Sequence, residues 1–581
     1  MKPLLLTGLC LAMLFFSSCQ NDAHKTRSAS YEAKGGVYAG GILHVNETED
    51  LGSLMPIAIN EVNGYHIASQ VYEGLVKYNQ SDLSLQPALA RSWEINPDNT
   101  EYTFHLRTGV YFQNDSCFDD SEGRLLKASD VKYCFEHLCT PNVNNTQFEI
   151  TFKDRVEGAT EYFDLSGYGK SHDLKGLTVI NDSTIKIKLI EPDVNFLNIL
   201  TMPGCYIYPR EAVRKYGNNM RHKAVGTGPF YIEKIAGKEY LLMKRNPNYW
   251  GYDKFGNQLP YLDGIKWLFI KDKKTEILSF KAGLLDMVYR IPVDMFHEIM
   301  GDLHTSHQKD IYFDIYTSPA LSTHYYGFNL QTNPFFSIKE IGLAFNLAID
   351  REKIADYTIK GEGMAAQYGM VPHTDWFEKN GYNYKAIKGY NYNPDSAKKL
   401  LALAGYPDGN GLPSFNLEVN SGGERNMLVA LAVQKMLKEN LGVNINISVV
   451  PWSEHVQNVE NGKSDFFRYS WIADYPDPES FLMLFHGKLV PENYTEKSQI
   501  NFCRFKNARF DSLFEASHKE SDIKKRFALL SMADQIILDE GACIPLFYDE
   551  NIRLEQKNVR NLPENPMDYL DMTQTYLVPK K

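Results

Sequence analysis

Apolar and polar positions change their period repeatedly along the chain. From Glu101 to Phe112, "EYTFHLRTGVYF", they alternate around Thr108-Gly109, which predicts two half-buried strands joined by a turn. "STIKIKLI", Ser183 to Ile190, alternates in the same way. "PDSAKKLLALAGY", Pro394 to Tyr406, instead spaces its apolar residues for a helix. Asn393 stands at the N-cap, Pro394 at the first helical position and Gly405 just past the end. "SIKEIGLAFNLAIDREKI" predicts another helix, with Ser337 and Glu340 spaced as a capping box. "VNINISVV", Val443 to Val450, reads as a buried strand following a helix around Val433 to Leu437. Strands and helices alternate throughout, with no short repeat and no low-complexity linker. That pattern predicts an α/β chain whose lobes are each a sheet covered by helices.

The first residues depart from this pattern. "MKPLLLTGLCLAMLFFSSCQ" carries one charge at Lys2, an apolar run from Leu4 to Phe16, then small residues ending at Cys19. The run is short for a bilayer span and has the flanks of a signal peptide. The "FSSC" ending predicts a lipoprotein signal, with Cys19 as the lipidated first residue of the mature chain; an ordinary signal peptide cut nearby is the other reading. The polar stretch "QNDAHKTRSASYEAKGG" then serves as a flexible tether. The expected location is the exported, periplasmic or cell-surface side, with the protein held at the membrane by its lipid.

At 581 residues the chain exceeds one hydrophobic core, which suggests two or three lobes. A net charge of -11 argues against a nucleic-acid partner. Six cysteines remain beyond Cys10 and Cys19: Cys117, Cys134, Cys139, Cys205, Cys503 and Cys543. Their spacings are irregular, and no CxxC pair, HExxH or Cys/His ladder occurs, so neither a metal nor a cofactor is expected. No GxSxG elbow, Walker loop or dinucleotide turn appears in context, which argues against an enzyme.

A series of segments in order carries a family resemblance: "VYEGLVKYN", "PALARSWEINPDNTEYTFHLRTGVYF", "LKASDVKYCFEHL", "VGTGPFYIEKI", "RNPNYWG", "LPYLDGIKWLFI", "AGLLDMV", "NPDSAKKLLALAGYPDG", "GVNINISVVPWSEHV", "DFFRYSWIADYPDPESF" and "IPLFYDENIRL". From about Val71 to the C-terminus the chain resembles the extracytoplasmic solute-binding proteins of oligopeptide, dipeptide and nickel ABC importers (family 5). It departs from them at Ile338, Glu340 and Gly342, where the family often has an acid and two arginines. It departs again at Ile472, where some members have a disulfide cysteine.

The resemblance implies a two-lobed periplasmic-binding-protein-like fold with a hinge, an interlobe cleft and an extra early subdomain. The implied division is 1–18 signal peptide, 19–36 tether, 37–70 first segment of lobe I, 71–220 inserted subdomain, 221–313 second segment of lobe I, 314–545 lobe II and 546–581 C-terminal segment of lobe I. It also implies a monomer that delivers its ligand to a membrane permease.

A peptide brings an ammonium, a carboxylate and backbone amides into a desolvated cleft, and each needs a partner there. In the resembling family the aspartate of a W-x-A-D motif takes the ammonium, a role that falls on Asp474. Trp471 would offer a flat apolar face, with Tyr475 beside it, and Arg468 matches a family arginine that can meet a carboxylate. Further expected ligand contacts are Tyr325 and Tyr326 in "THYYGFN" and Asn63 and Tyr65 in an early cleft loop. Asp474 could equally cap a turn, and the tyrosines could be packing residues. The glycines of "GTGPF", Gly226 and Gly228, read as backbone devices. The rival ligands on the same fold are an oligosaccharide, haem or a nickel complex, the last drawing on a histidine such as His324 or on an arginine clamp.

Overall fold

A computed structural model describes residues 30–167, 173–289, 295, 313–421 and 424–579. Cys19 and the signal-like segment lie outside the described residues.

The alternating stretch Glu101–Leu106 forms a strand whose Tyr102, Phe104 and Leu106 are no more than 2% exposed. It lies between Ala90–Ile95 and Thr184–Lys188, with Leu177–Asn181 outermost, in a four-stranded antiparallel sheet. The second strand expected after Thr108-Gly109 does not form. The chain there meets residues 124–126 instead, through a lone bridge between Tyr111 and Leu125 and backbone bonds from Phe112 and Leu126.

A second four-stranded sheet is assembled from distant pieces. Phe230–Ala236, Tyr240–Arg245 and Gly264–Leu268 run antiparallel, and Ile42–Asn46 adds in parallel to the last of them. The two sheets share one apolar core, which also takes in Val559, Leu570, Met572 and Leu577 near the C-terminus. Polar bonds fasten the same return: Gln70 Nε2 donates to the Leu570 carbonyl at 2.6 Å, and Lys77 pairs with Asp571 at 2.9 Å. A Cβ at Gly226 or Gly228 would sit 2.2 or 2.6 Å from the Val71 carbonyl oxygen, so the "GTGPF" turn needs both glycines for this approach.

The other lobe is organised by one large sheet. Five of its strands are β1 (Phe313–Phe328), β2 (Phe415–Asn420), β3 (Ile445–Val450), β4 (Phe466–Ile472) and β5 (Cys543–Gln556). In space they run β5-β1-β4-β2-β3, and Met287–Tyr289 joins the far side of β5. One core covers each face of the sheet. The expected helix appears at Pro394–Leu403, and Asn393 Oδ1 accepts from the Ser396 N–H at 3.0 Å. The capping box does not. Ser337 donates its hydroxyl to the Pro334 carbonyl at 2.8 Å, closing a turn that Asn333 already organises, so the helix Lys339–Ala348 starts without a side-chain cap. Nor is β3 a buried strand. It is the sheet's edge, and Val449 is 47% exposed.

β1 and β5 carry the chain between the lobes. Residues 313–319 pair with 550–556 beside Met287–Tyr289, whereas residues 323–327 pair with 543–548 inside lobe II. Between Pro319 and Thr323 the register breaks. Pro319 cannot donate to a ladder, and an interrupted ladder lets a strand bend locally. This pair of strands forms the hinge.

Candidate functional site

The stretch Asp465–Phe481 supplies the whole of β4 and the turn after it. Alternation along β4 sends Arg468 and Trp471 to opposite faces. Trp471 packs beside the core that holds Tyr325 and Tyr469. Arg468 lies near Tyr326 and His324, so the three chemical groups of "RYSWIAD" do not form one cluster. Trp471 Nε1 is buried and finds no acceptor among the described residues.

Asp474 begins the turn. Its N–H donates to Ser480 Oγ at 3.0 Å, so the backbone is fixed. Its carboxyl takes no hydrogen bond among the described residues. Burial, and then the charge of Glu479, push that carboxyl up to about 7. Two other acids in the turn are satisfied. Asp477 receives a two-pronged pair from Arg526, at 2.5 and 2.7 Å. Glu479 accepts from the Tyr475 hydroxyl at 2.7 Å and lies 3.2 Å from His518 Nε2. Burial opposes the Glu479 charge, but His518, then Arg526 and Tyr475, outweigh it and hold this carboxyl well below the usual range.

This turn meets the first lobe. Asn195 Nδ2 donates to Glu479 Oε2 across a separation of 284 residues. Tyr475 packs in an apolar cluster with Tyr78, Leu83, Ile199, Met202 and Tyr569, and Tyr65 rests against it. Burial pushes the Tyr78 hydroxyl up against the hydrogen bond with Thr201, and the charges of Asp477 and Asp474 add to the rise, so Asp474 acts electrostatically across to the opposite lobe. Beside this contact opens a cavity of about 740 Å³. Lobe I lines it with residues that include Arg155 and Asp193, and lobe II with residues that include Glu479, His486 and His518.

The structure therefore brings Asp474, Tyr475 and Tyr65 to the seam between the lobes. Tyr325 and Tyr326 are each about 1% exposed and enter the two separate cores on opposite faces of the sheet. Both polar ends of Asn63 serve its own loop, donating to the Asp50 carbonyl at 2.8 Å and accepting from the Gly64 N–H at 2.7 Å. Sequence reading did not single out Glu479 or Asn195. "DPESF" gave one signal, an acid five residues after Asp474 amid apolar neighbours; Asn195 gave none.

Arg468 is 8% exposed and bonded only to neutral acceptors: Asn420 Oδ1 at 3.0 Å, Ser470 Oγ at 3.1 Å and His324 Nδ1 at 2.9 Å. Burial, and then the neighbouring Arg425, bring its pKa down to about 10. All six described cysteines are free thiols. No described helix is long and apolar enough to cross a membrane.

The profile of the family "Bacterial extracellular solute-binding proteins, family 5 Middle" matches residues 84–490. The dipeptide-binding protein DppE of Bacillus subtilis is 26% identical over 575 residues, covering 97% of this chain and 97% of that protein. The periplasmic oligopeptide-binding protein OppA of Salmonella typhimurium is 27% identical over 541 residues, covering 92% of each. Among solved structures, the ABC transporter-associated periplasmic binding protein DppA of Helicobacter pylori, in complex with the peptide STSA, superposes with a TM-score of 0.74. That pair shares 26% identity over 93% of this chain and 98% of the other. The two-lobed fold, the hinge strands and the matched span together place the chain in one family: it belongs to the bacterial extracellular solute-binding proteins of family 5.

Proposed function

We propose that the protein captures oligopeptides between its lobes and hands them to an ABC permease, acting as the binding component and not as an enzyme. The observation that carries this reading is the Asp474 carboxyl, set at the interlobe seam where its charge is disfavoured and no described side chain or N–H stabilises it. A peptide ammonium is the complementary group, because a charge-assisted bond stabilises the carboxylate and fixes the ligand's register. Arg468, whose acceptors are all neutral, is the complementary cation for a ligand carboxylate. Trp471, Tyr475 and Tyr65 complete the proposed contacts, while Tyr325 and Tyr326, packed in the two cores, and Asn63, bonded within its own loop, are left out of them. The names of DppE and OppA, and the peptide bound to DppA, support the same ligand class.

A ligand that touches both lobes stabilises the closed form through its differential contacts, and the closed shape is what a permease can distinguish. A lipid on Cys19 would keep the protein beside that permease, as a monomer at the end of a tether. Titrating the purified protein with tri- to pentapeptides tests the reading, and saturable binding is expected. Saturable binding of haem, a nickel complex or an oligosaccharide with none of any peptide would overturn it. Peptide cleavage during the incubation would overturn the non-catalytic assignment.

A further inference from the structure

His324, on β1, lies 144 residues before Arg468 and touches its guanidinium. Arginine has only donors, so His324 Nδ1 must be the acceptor in that 2.9 Å bond. The proton of a neutral ring then sits on Nε2, which faces Asp549 Oδ2 at 2.8 Å and donates to it. Arg425 Nη2 lies 3.2 Å from the same Nε2, but two donors cannot bond each other. Arg425 instead donates to Asp549 Oδ1 at 3.0 Å and reaches Glu362 at 3.4 Å. Ser322 Oγ also donates to Asp549, at 3.0 Å. The imidazole is stacked on Phe547, with centroids 4.4 Å apart and planes 14° from parallel. Burial, then the two arginines against the attraction of Asp549, bring the ring down to about 3, so it stays neutral at physiological pH.

The ring is thus held at both nitrogens, by Asp549 and Arg468, and at one face by Phe547. Its free lone pair sets the direction of one guanidinium edge. With Asn420 and Ser470 it occupies three of the five N–H groups of Arg468. The Nε–H and one Nη1–H donate to nothing among the described residues. Asp549 and Ser322 both sit where β5 and β1 pass between the lobes, so the support of this arginine is anchored at the hinge.

We infer that His324 is a positioning residue for Arg468, a neutral acceptor locked by Asp549 that holds the guanidinium so that its unpaired Nε–H and Nη1–H are left to meet a ligand carboxylate. This rests on the reading of Arg468 as the carboxylate partner. The test compares a tetrapeptide with its C-terminal amide in the wild type, His324→Leu and His324→Gln. The wild type should favour the free acid by at least about tenfold. His324→Leu should remove most of that preference while keeping the wild-type discrimination between a free and an acetylated N-terminus. His324→Gln, which can both accept and donate, should restore part of it.

Nitrogen NMR of labelled wild-type protein supplies a readout independent of ligand. The ring should show the neutral tautomer protonated on Nε2 from pH 5 to pH 8. An imidazolium in that range, or a His324→Leu protein with the wild-type acid preference, would overturn the proposal. If the wild type itself fails to prefer the acid, the reading of Arg468 falls and the proposal falls with it. That result is told apart by needing no variant.

Discussion

Asp474 and Glu479 show how two acids five residues apart acquire opposite characters. Glu479 has His518, Tyr475 and Asn195 around it and stays ionised. Asp474 has none of these and is raised to about 7. Binding an ammonium requires the carboxylate, so a proton competes with the ligand. Between pH 7 and pH 6 the affinity for a free-amine peptide should fall by up to about tenfold. It should fall again above about pH 8, where the ligand amine deprotonates. Calorimetric titration across this range checks both limbs, and an N-acetylated peptide should show neither.

Asp474→Asn should weaken free-peptide binding by about 2–5 kcal/mol, the usual loss when one member of a buried charge pair is removed. The same substitution should help the ligand-free protein. An acid whose folded pKa lies above its unfolded value, about 3.9, loses stability as pH rises from there to about 7. At pH 8 the variant should therefore melt above the wild type in a calorimetric scan.

At the scale of elements, the Asn195–Glu479 hydrogen bond joins the two lobes directly. Asn195→Ala removes a donor to Glu479 and leaves Asp474 in place. We expect a severalfold weaker peptide affinity, an unchanged preference for a free N-terminus, and a larger fraction of open molecules by small-angle scattering. An unchanged affinity would show that this contact does not favour closure.

A second joint ties the chain's return to lobe I. His66 Nδ1 lies 2.8 Å from Glu47 Oε1, and its Nε2 lies 2.9 Å from the Asp568 carbonyl oxygen. Burial opposes the charge of His66, but Glu47 and Asp568 outweigh it and raise the ring to about 9. Its stabilising contribution is complete below the unfolded value of about 6.5 and is lost as pH rises through 9. Hydrogen exchange near residues 568–572 should accelerate over that window, after correction for intrinsic rates. His66→Gln should flatten the change.

The whole molecule is two lobes strung on two long strands; the family resemblance implied that plan, whereas several of its elements were legible in local pattern. Tyr102, Phe104 and Leu106 alternate inward, and Asn393-Pro394 with Gly405 bracket a helix. Ser337 misled because its hydroxyl had a nearer carbonyl, at Pro334, than the helix N–H groups. β3 misled because period alone does not distinguish an edge strand from an inner one. The site was less legible for a different reason. Asn195 meets Glu479 across 284 residues and His324 meets Arg468 across 144, and such contacts leave no periodic trace. The family resemblance pointed to Asp474, but the absence of a stabilising neighbour for its carboxyl is visible only in three dimensions.

In the proposed capture, Asp474 holds the amino terminus of a peptide enclosed between the lobes. Isothermal titration of the wild-type protein at pH 7.5, with one tetrapeptide and its N-acetylated twin, tests this most directly. Acetylation is expected to weaken binding by about a hundredfold or more, in line with the loss of a buried charge pair. Equal dissociation constants for the two peptides would contradict it.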